Sequence, residues 1–401
     1  MMPQEVRSLL ARLESAGYQG WAVGGCVRDS LLGLTPHDWD LCTSALPQQG
    51  MELFGEEKCI PTGLQHGTVT VKQGGGLYEI TTFRTEGAYT DGRHPDEVHF
   101  VPDVREDLAR RDFTINAMAY NAKEGLVDPF GGQADLQSGI VRAVGVPRQR
   151  FTEDALRILR LYRFAARFGF SIDPPTAQAA QELCAHLDCV SVERIEEELA
   201  KLLSAPAPAA YLDEKILGVV LPELSPEALA AAKPVVDACP AGEQVLPVRL
   251  AALLLSLGED GTRRTLRRLR CSNACIEETA VLVREVVSGV PVSLNIYARR
   301  LLGKYNLCTV QRLAALGTAL QPEHAADFAA LSELAEQLDA DGVCCRVSQL
   351  AVNGRDLMAA GVPAGPGIRK VLEALLDGVI REEYPNERQA LLIAVQQLAA
   401  S

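Results

Sequence analysis

The sequence predicts an α+β protein: a small head with a mixed sheet over about the first 140 residues, followed by an elongated all-helical body. Three observations carry this. "HGTVTV" and "YEITTFR" alternate apolar and polar residues on either side of "KQGGG", the pattern of a hairpin. Two short apolar runs flank a helix that opens on paired glycines. From about Phe151 onward the pattern is helical and remains so.

Taken in order, residues 4–16 read as an amphipathic helix ended by Gly17. "GWAV" is a short buried strand running into Gly24-Gly25, residues 26–33 form a helix, and "HDWDLCT" returns as a strand. "SAPAPAA" at 204–210 and the Pro/Ala-rich stretch at 222–247 are expected to be joints between helical bundles. The chain is read as a head at 1–143, a helical neck at 144–225, and a body and tail at 226–401. No strict internal repeat interrupts this plan.

The 401 residues are 47% hydrophobic and 23% charged, ordinary for a soluble globular protein. The first twenty residues carry no basic-then-apolar leader and no apolar run approaches membrane-spanning length, so no membrane partner is expected and the location is cytoplasmic. The eleven cysteines lack zinc or disulfide spacing and read as reduced thiols. A net charge of −13 argues against indiscriminate nucleic-acid binding. Residues 104–170 nonetheless hold ten Arg and one Lys against eight Asp or Glu, a basic region suited to one polyanion.

On a strand, Asp38 and Asp40 project from one face, with Trp39 and Leu41 toward the core. Two neighbouring carboxylates repel, and a hard divalent ion such as Mg2+ relieves that while also taking phosphate oxygens. Gly24 and Gly25 offer backbone N–H groups ahead of a helix, and Arg28 lies one turn in, a combination suited to a phosphate chain.

The stretch "VGGCVRDSLLG…DWDLCTSA" closely resembles the first signature of the class II tRNA nucleotidyltransferase and bacterial poly(A) polymerase family. "RRDFTINAMAY" (110–120), "DPFGGQADLQSGIVR" (128–142), "EDALRILRLYRFAARFGF" (153–170) and "RIEEELAKLL" (194–203) resemble its next four motifs, in order. "GRDLMAAGVPAGPGIRKVLEALLDGVI" is similar to the tail of bacterial members, whereas residues 225–345 carry little signal. The resemblance implies that Asp38 and Asp40 bind the catalytic metals, that Gly25 and Arg28 meet the triphosphate, and that Arg111 contacts the nucleotide. Glu79, on a neighbouring strand, is open between a third metal-site acid and a solvated position.

Read as one helix, residues 153–168 gather Ile158, Leu159, Tyr162, Ala165 and Ala166 on one side and Arg157, Arg160, Arg163 and Arg167 within about 120° on the other. After Asp154 no acid lies at i+3 or i+4 to balance these arginines, which weakens the reading of a solvated charged face. Cytosine and adenine each present an exocyclic amine beside a ring acceptor; Asp accepts from the amine and Arg donates to the ring nitrogen, while uracil and guanine invert the pattern. The family assigns this task to Asp154 and Arg157, leaving Arg160 and Arg163 to help hold the nucleotide.

Some relatives carry a histidine-aspartate phosphohydrolase domain after the neck; here Leu255-Ser256 stands where that dyad is expected, and no histidine falls between 187 and 323. The polar, glycine-bearing segment 84–100 is expected to be a mobile loop, which in the family accompanies a change of specificity from C to A. The expectation is therefore an enzyme adding C, C and A from CTP and ATP to the tRNA 3′ end without a template, releasing pyrophosphate. A poly(A) polymerase or A-adding enzyme shares all five motifs and remains the alternative, with a non-catalytic RNA-binding protein further off.

Overall fold

The computed structural model describes residues 2–61, 63–87, 98–286 and 293–400, which divide into two compact units, Met1–Pro226 and Glu227–Ser401. No described helix is long and apolar enough to cross a membrane.

The first unit opens with α1 (Gln4–Ser15), whose Val6, Leu9, Leu10 and Leu13 are buried at the helical spacing, and Gly17 follows at φ +87°. Strand β1 (Gly20–Val23) leads into α2 (Gly25–Leu31), then come β2 (Leu41–Thr43) and α3 (Pro47–Phe54). Strand β3 (Cys59–Ile60) precedes the expected hairpin, β4 (Thr68–Gln73) and β5 (Gly76–Thr82), paired antiparallel from Thr68↔Thr81 to Gln73↔Gly76. Strands β6 (Arg84–Glu86) and β7 (Val98–Phe100) pair antiparallel; residues 88–97, within the segment expected to be a mobile loop, lie outside the described residues. Helix α4 (Val104–Ala109), β8 (Ala119–Asn121), β9 (Gly125–Val127) and α5 (Gly132–Ser138) complete the head.

Seven strands form one sheet in the order β3-β4-β5-β2-β1-β8-β9. Only β2 and β5 run parallel in it, with Leu41 opposite Ile80, so the sheet is mixed. Trp21, Val23, Cys42, Phe83, Val104, Leu108, Ala117, Ala119 and Val144 form its core. Each large apolar side chain removed from water here contributes about 1.5–3 kcal/mol.

A two-residue pair, β10 (Ile140–Val141) with β11 (Ser171–Ile172), joins the head to the helices α6 (Pro147–Glu153), α7 (Leu156–Phe168), α8 (Pro174–Leu183) and α9 (Val192–Leu203). The helix expected through residues 153–168 is broken at Asp154, whose backbone is extended (φ −144°, ψ 104°). Eight of the thirteen residues of α7 are buried, including Leu161 and Phe164 beyond the apolar side read from the sequence.

The second unit is helical throughout its described residues. The boundary between the two units falls within the joint expected at 222–247, although Pro226–Ala238 inside it is a helix that contains Pro234. Proline is tolerated at a helix start, and the alanine-rich run favours helix. Farther on, Cys344, Val352, Leu357, Leu375, Val379, Leu391, Ala394 and Val395 make a separate core.

Candidate active site

Asp38 and Asp40 do not sit in a strand. Strand β1 ends at Val23 and the chain turns at Gly24, so residues 38–40 find few ladder partners and approach β2 as irregular chain. The carbonyl of Asp40 accepts from the Val23 N–H at 3.0 Å, which ends the pairing. Leu41 is buried as expected, but Trp39 is half-buried and lines a surface pocket with Leu31 and Tyr120 rather than entering the core. Both carboxylates are exposed, and neither has an ion-pair partner among the described residues. Packing around the Asp40 carboxyl raises its pKa, Arg111 opposes this, and Asp38 adds to it. The two acids therefore feel one another, and such a pair of hard oxygen donors suits a divalent cation. Glu79 falls beside Asp40 by the β2–β5 register, yet among the described residues no three of His, Cys, Asp and Glu stand close enough to hold a metal.

Gly24 turns the chain at φ +76°, and a Cβ there would meet Arg111 Nη1 at 2.9 Å. Gly25 is the first helical residue, where an added Cβ would make only ordinary contact with Arg28 at 3.6 Å. Arg111 Nη2 reaches Asp107 at 3.3 Å, while its buried Nε has no hydrogen-bond partner among the described residues. Asp107 is fully buried and also accepts from Arg110 Nε at 3.0 Å.

The arginines of α7 are balanced, contrary to the sequence reading, by Glu153 just ahead of the helix and by acids from elsewhere in the chain. Arg157 pairs with Glu153 at 2.8 Å and donates to the carbonyls of Arg150 and Arg110. Arg160 pairs with Asp112 at 2.6 Å and with Glu198 at 3.5 Å. Arg163 lies 2.9 Å from Glu198, off the line of a hydrogen bond, and 4.0 Å from the Phe164 ring centroid. Burial lowers the Arg163 pKa to about 10, with Glu198 opposing and Arg160 and Arg28 adding to the fall.

Arg28 is buried, held by Asp29 at 2.7 Å and by the Asn116 carbonyl, and its guanidinium faces Phe164 and Phe168. Asn116 in turn donates to Asp112 at 3.0 Å, and Arg167 reaches Asp29 at 3.2 Å. Arg28, Arg160, Arg163 and Arg167 thus cluster on two phenylalanines against Asp29, Asp112 and Glu198, four cations against three anions. Asp154 is held apart from them by Arg194 of α9 at 2.8 Å.

The structure thus brings Gly25, Arg28, Asp40 and Arg111 to one end of the sheet, and Asp112 and Asn116 tie that group to Arg160 and Arg163. Sequence reading missed Asp29, Asp107, Asp112, Asn116, Phe164, Phe168, Arg194 and Glu198. Asp112 and Asn116 lie within the second motif and Arg194 and Glu198 within the fifth, but nothing local says what they touch.

Residues 20–142 match the family described as "Poly A polymerase head domain", residues 169–227 match "Probable RNA and SrmB- binding site of polymerase A", and residues 248–395 match "tRNA nucleotidyltransferase domain 2". A CCA-adding enzyme of Lactiplantibacillus plantarum is 36% identical over 405 residues, covering 99% of this chain and 97% of its own. One from Geobacillus thermodenitrificans is 36% identical over 398 residues, covering 97% and 95%. The crystal structure of the Bacillus stearothermophilus CCA-adding enzyme in complex with CTP superposes with a TM-score of 0.84 at 32% identity, covering 100% of this chain and 98% of that one. The Thermotoga maritima CCA-adding enzyme complexed with tRNA shares the fold, with a TM-score of 0.65 at 22% identity. With relatives this similar along nearly the whole length, the chain belongs to the CCA-adding enzymes of the tRNA nucleotidyltransferase family.

Proposed function

We propose that this protein adds C, C and A to the 3′ end of tRNA in the cytoplasm, using CTP and ATP with Mg2+ and releasing pyrophosphate. The observation that carries the reading is the arginine and phenylalanine cluster joined through Asn116 and Asp112 to the Gly24 turn. That cluster keeps an excess of positive charge where a triphosphate would lie. The head at 1–143 would perform the chemistry, the neck at 144–225 would choose the nucleotide, and the body and tail at 226–401 would hold the tRNA by phosphates and shape.

Asp38 and Asp40 would hold the metal. Their exposed, unpaired carboxylates fit the two-carboxylate-plus-phosphate coordination that magnesium takes. When bound there, magnesium supplies activation of the tRNA 3′ hydroxyl and neutralises charge on the leaving pyrophosphate. Gly25 leaves room for phosphate oxygens to approach the backbone. Arg28, Arg111, Arg160 and Arg163 would orient the nucleotide and its phosphates. Asp154 and Arg157 would read the base. Arg157 spends three of its five N–H groups on Glu153, Arg150 and Arg110, leaving two for a ring nitrogen.

The test is to give the protein a tRNA lacking its 3′ end, with CTP and ATP singly and together, and to sequence the products. A complete CCA end only with both nucleotides is expected. A lone A, or an A tail, would identify an A-adding enzyme or poly(A) polymerase instead.

Base choice makes a further prediction. Asp154→Ala removes the acceptor for the exocyclic amine, so the preference for CTP over UTP should fall by about tenfold or more, from roughly 1–3 kcal/mol of discrimination. Arg157→Ala should slow the use of both CTP and ATP. A fall in overall rate with the CTP-to-UTP preference intact in Asp154→Ala would refute the assignment.

A further inference from the structure

Asp154 does not stand free to read a base; it is already gripped. Its Oδ1 accepts from the Leu156 N–H at 3.0 Å, its Oδ2 accepts from Arg194 Nη2 at 2.8 Å, and Arg194 Nη1 lies 3.4 Å from Oδ1. Arg194 approaches from α9, forty residues along the chain, so the carboxylate is fixed from two helices at once. Both side chains are largely enclosed, with 14% of Asp154 and 23% of Arg194 exposed.

The position of Arg194 has no explanation within its own helix. It is the third residue of α9, in the first turn, where the helix macrodipole opposes a cation. Its i+4 neighbour Glu198 would be a ready partner on the same face, but Glu198 is directed to Arg160 and Arg163 instead. The backbone under Arg194 is anchored, since Ile195, Leu199, Leu202 and Leu203 are buried. A rigid helix thus presents a planar, two-pronged donor to one carboxylate and, among the described residues, to no other acid.

We infer that Arg194 is a positioning residue for nucleotide choice, acting through Asp154: by fixing the plane of that carboxylate it keeps an acceptor, and only an acceptor, facing the amine edge of the base. The inference rests on the reading of Asp154 as the base-selecting acid. A carboxylate free to rotate can swing away from the carbonyl of uracil or guanine, so the wrong base meets less repulsion. A clamped one cannot. The main effect of the clamp is therefore rejection of the wrong nucleotide, which needs an opposing group that does not yield. Its effect on the right nucleotide is smaller, because a loose carboxylate can still find an amine. Lysine would keep the charge but not the bidentate geometry.

The experiment measures kcat and KM for CTP and UTP on a tRNA lacking its CCA end, in wild type, Arg194→Ala, Arg194→Lys, Asp154→Ala and the double variant Asp154→Ala/Arg194→Ala. The expected result for Arg194→Ala is a fall of about tenfold in CTP-over-UTP preference, with kcat/KM for CTP reduced less than that and UTP use raised. Arg194→Lys should fall between, and it serves as the measure if the alanine variant does not fold. The double variant should show the same preference as Asp154→Ala alone, because the clamp has nothing left to position. Equal losses for CTP and UTP, or additive losses in the double variant, would overturn the inference and leave Asp154 as the base reader. A wild-type preference in both Arg194 variants would overturn it as well. If Asp154→Ala itself keeps the preference, the underlying reading of Asp154 fails and the inference with it.

Discussion

Replacing Asp40 with alanine is expected to abolish incorporation of both CTP and ATP, by about 1,000-fold or more, while tRNA binding and the melting temperature stay close to wild type. A bound divalent ion stabilises transition-state charge by several kcal/mol, and each 1.36 kcal/mol is tenfold in rate. The structure explains why stability should not follow. The Asp40 carboxylate is exposed, has no ion-pair partner among the described residues, and feels the repulsion of Asp38. Only its backbone carbonyl joins the fold, through Val23, and alanine keeps that bond. Surface substitutions of this kind move stability by about 0.5 kcal/mol or less. A variant that retained a tenth of the normal rate would show that the metal lies elsewhere.

The second large effect concerns stability. Asp112 is buried, accepts from the Phe113 N–H, Asn116 and Arg160, and is the link between Arg28 and α7. Asp112→Ala would leave Arg160 with Glu198 at 3.5 Å as its remaining acid and strip Asn116 of an acceptor. Breaking a buried pair in this way costs about 3 kcal/mol, or about 6–12 °C in the transition of the first unit. The pH dependence follows from the same contacts. Burial alone would raise the Asp112 pKa, but Arg160 and the Asn116 amide outweigh it and hold the carboxyl well below its usual range. Asp107 is likewise lowered, because Arg110 and Arg111 overcome its burial. Carboxyls depressed in the folded state contribute stability above the unfolded value near 3.9, and that contribution is lost as pH falls through it toward the folded value. The melting temperature should thus be flat above about pH 5 and drop below about pH 4, and the acid arm should be shallower in Asp112→Ala. A variant melting within 2 °C of wild type, with the same acid arm, would refute this account.

The features legible in the sequence were those whose cause is local. The β4–β5 hairpin follows from alternation around Gly74 and Gly75, and the α2 start follows from paired glycines. The strand expected through Asp38 failed because pairing depends on where the neighbouring strand stops, which the Asp38 region does not encode. The break at Asp154 had a local sign that went unread: an Asp two residues ahead of an apolar helix start, capping it through Leu156. Apart from Glu153, four residues before Arg157, the balancing acids were out of reach. Arg28 finds Asn116 across 88 residues, Arg160 finds Asp112 across 48, and Arg167 finds Asp29 across 138. Charge counts along a helix say which face is basic, not whether tertiary partners await it.

Those long separations bear on how the chain comes to be made. A ribosome delivers Arg28, Asp29 and Asp112 well before Arg160, Arg163 and Arg167, and Glu198 later still. Until the last of these emerges, a nascent head would have to enclose Arg28 and Asp112 with part of their compensation missing, and desolvating charge without its partners is costly. The sheet can form early from hairpin contacts, but the end of the head that carries Arg28 and Asp112 must stay open to water until α9 has been synthesised. Closure of this cluster is therefore vectorial: Arg160, Arg163, Arg167 and Glu198 enclose Arg28, Asp29 and Asp112 of the head, and they are synthesised after them.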